Sequence, residues 1–260
     1  MDLGNFASNR AKVDEMTSRF IWDTMVDMGV DAFTPGPREL QYWNLLSDFM
    51  AEGAIPVVSS NLTYLDNGEE KPVGQRYLIL ERNGVKVALF ALMGGSQFST
   101  ARIPADVQVV FADPFQTAQE LVPELQKQAD LVVLLSEMTT PDTNRLIQEV
   151  PGINAALYGN LAPWVDRASQ VGETIINQTG TRGQYLGHLV MIVDPDGNVI
   201  DWGSKNVQMA ENIPEDEAVA AKVAEHEEEV KAFQTGSPGA GESGEDDGHD
   251  SHDGHSHSGE

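Results

Sequence analysis

Apolar positions change their period several times along the chain, and each change marks an element. Between residues 10 and 28 they recur at helical spacing, with Val13, Met16, Phe20, Ile21, Met25 and Met28 on one face. A short strand at 31–34 and a helix over about 38–51 are expected to follow. Continuous apolar runs at 55–59, 77–80, 85–92 and 131–135 read as buried strands. The runs at 77–81 and 85–90 flank Asn83-Gly84, whose residues suit the two positive-φ positions of a tight hairpin turn. Helices are predicted at 114–129, with Asp113 as N-cap, and at 142–150 behind Thr139-Thr140-Pro141. Strands at 153–158, 173–178 and 184–193 come next, the last turning at Asp196-Gly197-Asn198 into 199–202. A helix over 214–234 has Pro214 in its first turn and a sparse stripe of Val219, Val223, Val230 and Phe233. Strands that alternate with helices and then give way to hairpins predict a layered α/β domain with a mixed sheet over 1–210. An acidic helix over 211–234 and a tail over 235–260 complete the predicted organisation.

Composition sharpens this picture at the C-terminal end. The chain has 260 residues, 41 acids against 16 bases, a formal net charge of -25 and no cysteine. A field of that sign repels phosphate backbones and anionic lipid, so neither nucleic-acid binding nor membrane association is expected. Without thiols the chain holds no disulfide, thiolate zinc site or iron–sulfur cluster. Residues 211–260 carry 15 of the acids and 2 of the bases, about half of the net charge. From Thr235 onward the residues are Gly, Ser, Asp, Glu and His with almost nothing apolar, which predicts a disordered tail. No run is apolar enough for a membrane-spanning helix, and MDLGNFASNR has neither the basic start nor the apolar stretch of a secretion signal. Residues 3–6 read as the end of a core strand that begins upstream, so a first strand is expected to be missing.

Several phrases, taken in order, carry a resemblance. They are DLGNF at 2–6, MGVDAFTPGPREL at 28–40, IPVVSSNL at 55–62, NGVKVALFALM at 83–93, ADLVVLLSEM at 129–138, INAALYGN at 153–160 and QTGTRGQYLGHLVMIVD at 178–194. Together, over about residues 1–203, they resemble the catalytic domain of bacterial 5′-nucleotidases and UDP-sugar hydrolases, within the calcineurin-like metallophosphoesterases. The resemblance implies a four-layer α/β/β/α sandwich with mixed sheets, a periplasmic or extracellular location, nucleotide catabolism, and adjoining domains that this chain lacks. It also implies two metal ions about 3.5–4 Å apart that activate water and clamp a phosphoryl group.

Carried over one motif at a time, the metal ligands of that family are substituted here. A first D-x-H motif falls upstream of residue 1. The G-D pair matches Gly4-Asn5, with an amide where a bridging carboxylate is needed. G-N-H-E matches Gly36-Pro37-Arg38-Glu39, so a ligand becomes Pro37 and a histidine becomes Arg38. The S-H strand end reads Ser136-Glu137, whose carboxylate can ligate a hard metal, and G-H-x-H reads Gly159-Asn160-Leu161-Ala162. Scaffold residues persist: Asn61, Asp113-Pro114, and Gly180, Gly183 and Gly187 around Tyr185.

Three functions follow as alternatives. The first is a non-catalytic binding or scaffold module with a degenerate metal site, where the Arg38 guanidinium meets a small anionic ligand. The second is an active nucleotide or sugar-nucleotide phosphohydrolase using Glu137, Asp2, Asn5, Asn160 and Glu39 around an atypical single metal. The third is metal handling through the tail, where His249, His252, His255 and His257, interleaved with Asp, suit labile binding of Zn, Ni or Cu. Elsewhere, His188 reads as a packed or edge residue and His226 as part of a solvated glutamate-rich face. Trp43, Trp164 and Trp202 read as core or interface aromatics, with Trp164 notable for standing just after the Gly159–Ala162 motif.

Overall fold

The computed structural model describes residues 1–236 apart from Asn9, 160–162 and Asp196. In chain order the elements are α1 (Lys12–Asp27), α2 (Pro37–Gln41), α3 (Trp43–Glu52), the hairpin β1 (Leu62–Asp66) and β2 (Glu69–Pro72), and the hairpin β3 (Leu78–Arg82) and β4 (Val85–Met93). Then come α4 (Gly95–Thr100), β5 (Val109–Phe111), α5 (Pro114–Leu125), β6 (Leu131–Glu137), α6 (Thr140–Glu149), β7 (Ala155–Tyr158), β8 (Ser169–Val171) and β9 (Thr174–Gln178). A ribbon of β10 (Tyr185–Val193) and β11 (Val199–Gln208) precedes α7 (Glu217–Gly236).

The main sheet has six strands in the order β3-β4-β6-β7-β9-β8. Its four inner strands run parallel, and β3 and β8 close the edges antiparallel. Alternation sorts the side chains of these strands. Ala88, Phe90, Leu92, Val132 and Leu134 face α5 and α6, where they meet Leu121, Leu125 and Leu146. Leu89, Ala91, Val133 and Leu135 point the other way, against Ala32, Val58 and the inner face of β10 and β11 at Leu189, Met191 and Trp202. Both faces are covered, which is why these strands read as unbroken apolar runs.

The second β layer is more fragmentary. It consists of the sheet β2-β1-β5, the two-stranded β10-β11 ribbon, and single bridges that join Asp2 to Phe33, Phe33 to Val57 and Val58 to Gln75. Its outer face is covered by α1 and α3, with Trp22 stacked on Phe49 and set edge-on to Phe33. The α/β/β/α order expected from the sequence is the order observed. The outer face of the ribbon stays bare, with Leu186, Val190, Ile192 and Ile200 all close to half exposed or more.

Several local expectations need correction. The strand at 31–34 is an isolated bridge at Phe33. The helix over 38–51 breaks at Tyr42, whose ψ of 55° is not helical. The buried face of α1 is Ser18, Trp22 and Met25, whereas Met28 is 62% exposed. Its other apolar side, Met16 and Phe20, lines a groove with α7. His226 is not simply solvated: it stacks on Phe20 with ring centroids 4.4 Å apart, and its Nε2 stands 3.2 Å from the Thr17 hydroxyl. A Lys222–Asp27 ion pair joins the same two helices. The sequence reading also passed over β1, β2, β5, β8 and α4. The predicted tail, from residue 237 on, lies outside the described residues.

Candidate functional site

The strand parity of β6 decides where the site forms. Val133 and Leu135 face the space between the β layers, so Glu137, two residues further on, continues that face at the carboxyl end of the strand. Ser136, one pleat away, points at α6 and shares a 2.7 Å hydrogen bond with the Thr143 hydroxyl. Glu137 is 1% exposed, and its Oε2 accepts a 3.0 Å hydrogen bond from the Asn5 side-chain amide. Gly159, just past β7, lets the carboxylate in: a Cβ there would stand 1.9 Å from Glu137 Oε1.

Asn5 is presented by two consecutive left-handed residues, Gly4 (φ 71°) and Asn5 (φ 69°), which swing the chain out of its bridge with Phe33. Asparagine tolerates this region; at Gly4 a side chain would strike Thr34 O and Gly36 N at 2.7 Å. The turn is fastened by Glu39. Its Oε1 accepts from the backbone N–H groups of Phe6 (3.0 Å) and Ala7 (2.9 Å), and its Oε2 from those of Asn5 and Gly36, each at 2.8 Å. Glu39 is fully buried. Burial pushes its carboxyl above the ordinary value, and the hydrogen bonds from Ala7, Asn5 and Gly36 oppose that rise. Asp2, also raised by burial, is used locally, accepting from Gly4 N at 2.9 Å.

The residues singled out from sequence therefore fall into distinct groups. Asn5, Glu39 and Glu137 come together at one sheet edge. Pro37 opens α2, and Arg38 follows with an exposed side chain, its backbone N 3.4 Å from Asn5 Oδ1. Asn61 clamps the end of β4, donating to Met93 O and Ala112 O at 3.0 Å each and accepting from Met93 N. His188 lies on the exposed face of the ribbon, paired in register with Lys205. Asn160 and Ala162, with Leu161, and the four tail histidines His249, His252, His255 and His257 lie outside the described residues. Among the described residues, no three His, Asp or Glu side chains converge to hold a metal ion.

Two features escaped the sequence reading. The backbone cradle of Glu39 was announced by Gly36-x-x-Glu39, the spacing at which a glutamate reaches back to the start of its own helix. The stack of Trp164 on Tyr185, centroids 4.8 Å apart, had no local signal because the two residues are distant in sequence and Trp164 lies between elements.

No protein-family model and no curated protein matches the chain. Solved structures do. The 5′-nucleotidase precursor of Thermus thermophilus superposes with a TM-score of 0.73 at 20% identity, over 85% of this chain and 47% of that one. The sulfate thiohydrolase SoxB of the same species gives 0.75 at 19% identity, over 88% and 42%. The calcineurin-like phosphoesterase YfkN of Bacillus subtilis gives 0.68 at 16%, over 88% and 83%. This chain spans less than half the length of the two Thermus proteins. Its fold is the metallophosphoesterase-like α/β/β/α sandwich that these structures share.

Proposed function

We propose that this chain is a phosphoesterase-fold binding module, without the dinuclear metal chemistry of that fold family, which holds a small anion at Arg38. The observation that carries the reading is the use to which the two site carboxylates are already put. Glu39 takes four backbone N–H groups, and Glu137 takes the Asn5 amide. A pair of divalent cations needs a bridging carboxylate and neutral imidazoles around it. Here the bridging position is the amide of Asn5, Pro37 has no side-chain donor, and Arg38 brings a fixed positive charge. That donor set does not fit the centre.

Arg38 supports the binding half of the reading. Its guanidinium is exposed, and among the described residues no ion pair engages it. A planar fork of N–H donors suits a phosphate or carboxylate held by two bonds. An extracytoplasmic location and a place beside further domains belong to the same reading and are supported by the family resemblance. Among the described residues no helix is long and apolar enough to cross a membrane.

The test is metal content by elemental analysis, together with phosphate release from a panel of 5′-nucleotides in added Mn, Mg, Zn or Ca. It uses the full chain with His249, His252, His255 and His257 replaced by alanine, so that the tail contributes no metal. Substoichiometric metal and no release above a Glu137→Ala control are expected. A stoichiometric metal with faster release than that control overturns the reading.

A further inference from the structure

Alternation along β10 divides its side chains between two faces. Leu189 and Met191, with Trp202 of β11, reach the core beneath, so Leu186, His188, Val190 and Ile192 take the outer face. Register partners on β11 complete that face in rows: Val207 beside Leu186, Lys205 beside His188, Gly203 beside Val190 and Asp201 beside Ile192. A register shift after Ile192 leaves Ile200 as an extra residue of β11, and it stands 64% exposed. The face thus has apolar rows at both ends and in the middle, with a cation on one side of the middle row and an anion on the other. Lys205 and Asp201 are exposed, and among the described residues neither joins an ion pair. Four residues apart on one strand, they are about 13 Å from each other and do not pair within the chain.

This order of rows is complementary to itself when reversed. A two-fold axis lying across the ribbon at Val190 and Gly203 sets a second copy face to face, with β10 over β10 and β11 over β11 in opposite directions. Rows at equal distances from the axis then meet. Lys205 comes over the second copy's Asp201, Asp201 over its Lys205, and the Leu186–Val207 row over the end of the ribbon that carries Ile200. At the axis, Gly203 has no atom within 4 Å of where a Cβ would stand, which leaves room for the two Val190 side chains to interlock. We infer that the outer face of the β10–β11 ribbon is a homodimer interface, closed by this axis and keyed by Lys205 against the second copy's Asp201. Another copy of this chain is the occupant because the complement that the face requires, apolar on apolar and opposite charge twice over, is the face itself. Strands of nine and ten residues offer a footprint of about 30 by 10 Å, well below the roughly 800 Å² per partner of a standard interface. The dimer is therefore weak and reversible, and the net charge of -25 makes it depend on salt.

The experiment is analytical ultracentrifugation of the full chain from about 10 μM to about 1 mM, in EDTA and about 150 mM sodium chloride so that the net charge is screened. A monomer and dimer in exchange are expected. Lys205→Glu and Asp201→Lys each raise the dimer Kd by at least about tenfold, since each sets like charges opposite one another twice. The two substitutions move the net charge in opposite directions, so net charge alone would make Asp201→Lys dimerise more tightly than the wild type. Mixed in equal amounts, the two variants are expected to recover a dimer of near wild-type affinity, because each altered face then meets its complement. Leu186→Lys weakens the dimer through the apolar end row. All three side chains are exposed, so the variants should melt with the wild type, and recovery on mixing shows that both are folded. A chain that stays monomeric throughout overturns the inference. A dimer that survives both charge reversals, or one that Asp201→Lys strengthens, overturns it as well.

Discussion

Glu39 sits in a cradle made only of N–H donors, and this decides what can replace it. Glutamine keeps the shape but turns one acceptor into a donor facing other donors, leaving buried groups unsatisfied. Glu39→Gln is expected to destabilise the fold by about 2–3 kcal/mol in urea unfolding; a change under about 0.5 kcal/mol would refute the cradle's importance. Tyr158 gives a second test, through pH. Its hydroxyl donates to Asn144 Oδ1 at 2.7 Å, and burial pushes its phenol up to about 12. The unfolded phenol ionises near 10, so the folded state holds this proton more tightly. The associated stability is complete below about pH 10 and is lost as the pH rises toward about 12. Urea midpoints across that window should fall more steeply for the wild type than for Tyr158→Phe. At this scale the sequence was informative about identity and silent about role. Gly4-Asn5 and Gly36-x-x-Glu39 are visible as letters, but a hydrogen bond spanning 132 residues, Asn5 to Glu137, has no local signature.

Among the helices, α7 is the most lightly packed. None of its residues is buried, and its attachment to α1 rests on the His226–Phe20 stack, the Thr17 contact and the Lys222–Asp27 pair. His226→Ala should therefore speed hydrogen exchange and proteolysis in 217–236 while the global melting temperature stays within a degree or two. Unchanged protection of that helix would place its attachment elsewhere. The same contact explains why the face of α1 was misread. The helix is covered on two sides, by the core at Trp22 and by α7 at Phe20, so one apolar stripe does not describe it. Tyr42 is a different failure: α2 must aim Glu39 at residues 5–7 while α3 packs on Trp22, and one straight helix cannot do both. Where local chemistry alone decides, the reading held. Asn83 and Gly84 turn the β3–β4 hairpin at positive φ, and Asp113 caps α5. Asn67-Gly68 makes the same turn between β1 and β2, but its flanks are too polar to read as strands.

For the whole molecule, the apolar runs were enough to predict a layered α/β domain with a mixed sheet, because a sheet buried on both faces needs them, while the four-layer order came from the family resemblance. The fragmentary second layer was harder to read, since single bridges leave no periodic trace. Charge acts at this scale too. With a net -25, self-repulsion opposes the compact state, so the melting temperature should rise as sodium chloride goes from about 10 mM to about 150 mM, where the Debye length falls from about 30 to about 8 Å. A flat or falling response would mean that the ion pairs, which salt also weakens, outweigh the repulsion. The bare ribbon gives this repulsion a second consequence, one of colloidal behaviour. Leu186, Val190, Ile192 and Ile200 form an exposed apolar strip that a neighbouring molecule would cover if it came close, and the net charge opposes that approach. Ammonium sulfate removes the repulsion and strengthens apolar contact together. Light scattering should then show particles growing with added sulfate, and Leu186→Lys with Ile200→Lys should hold the chain dispersed under the same conditions.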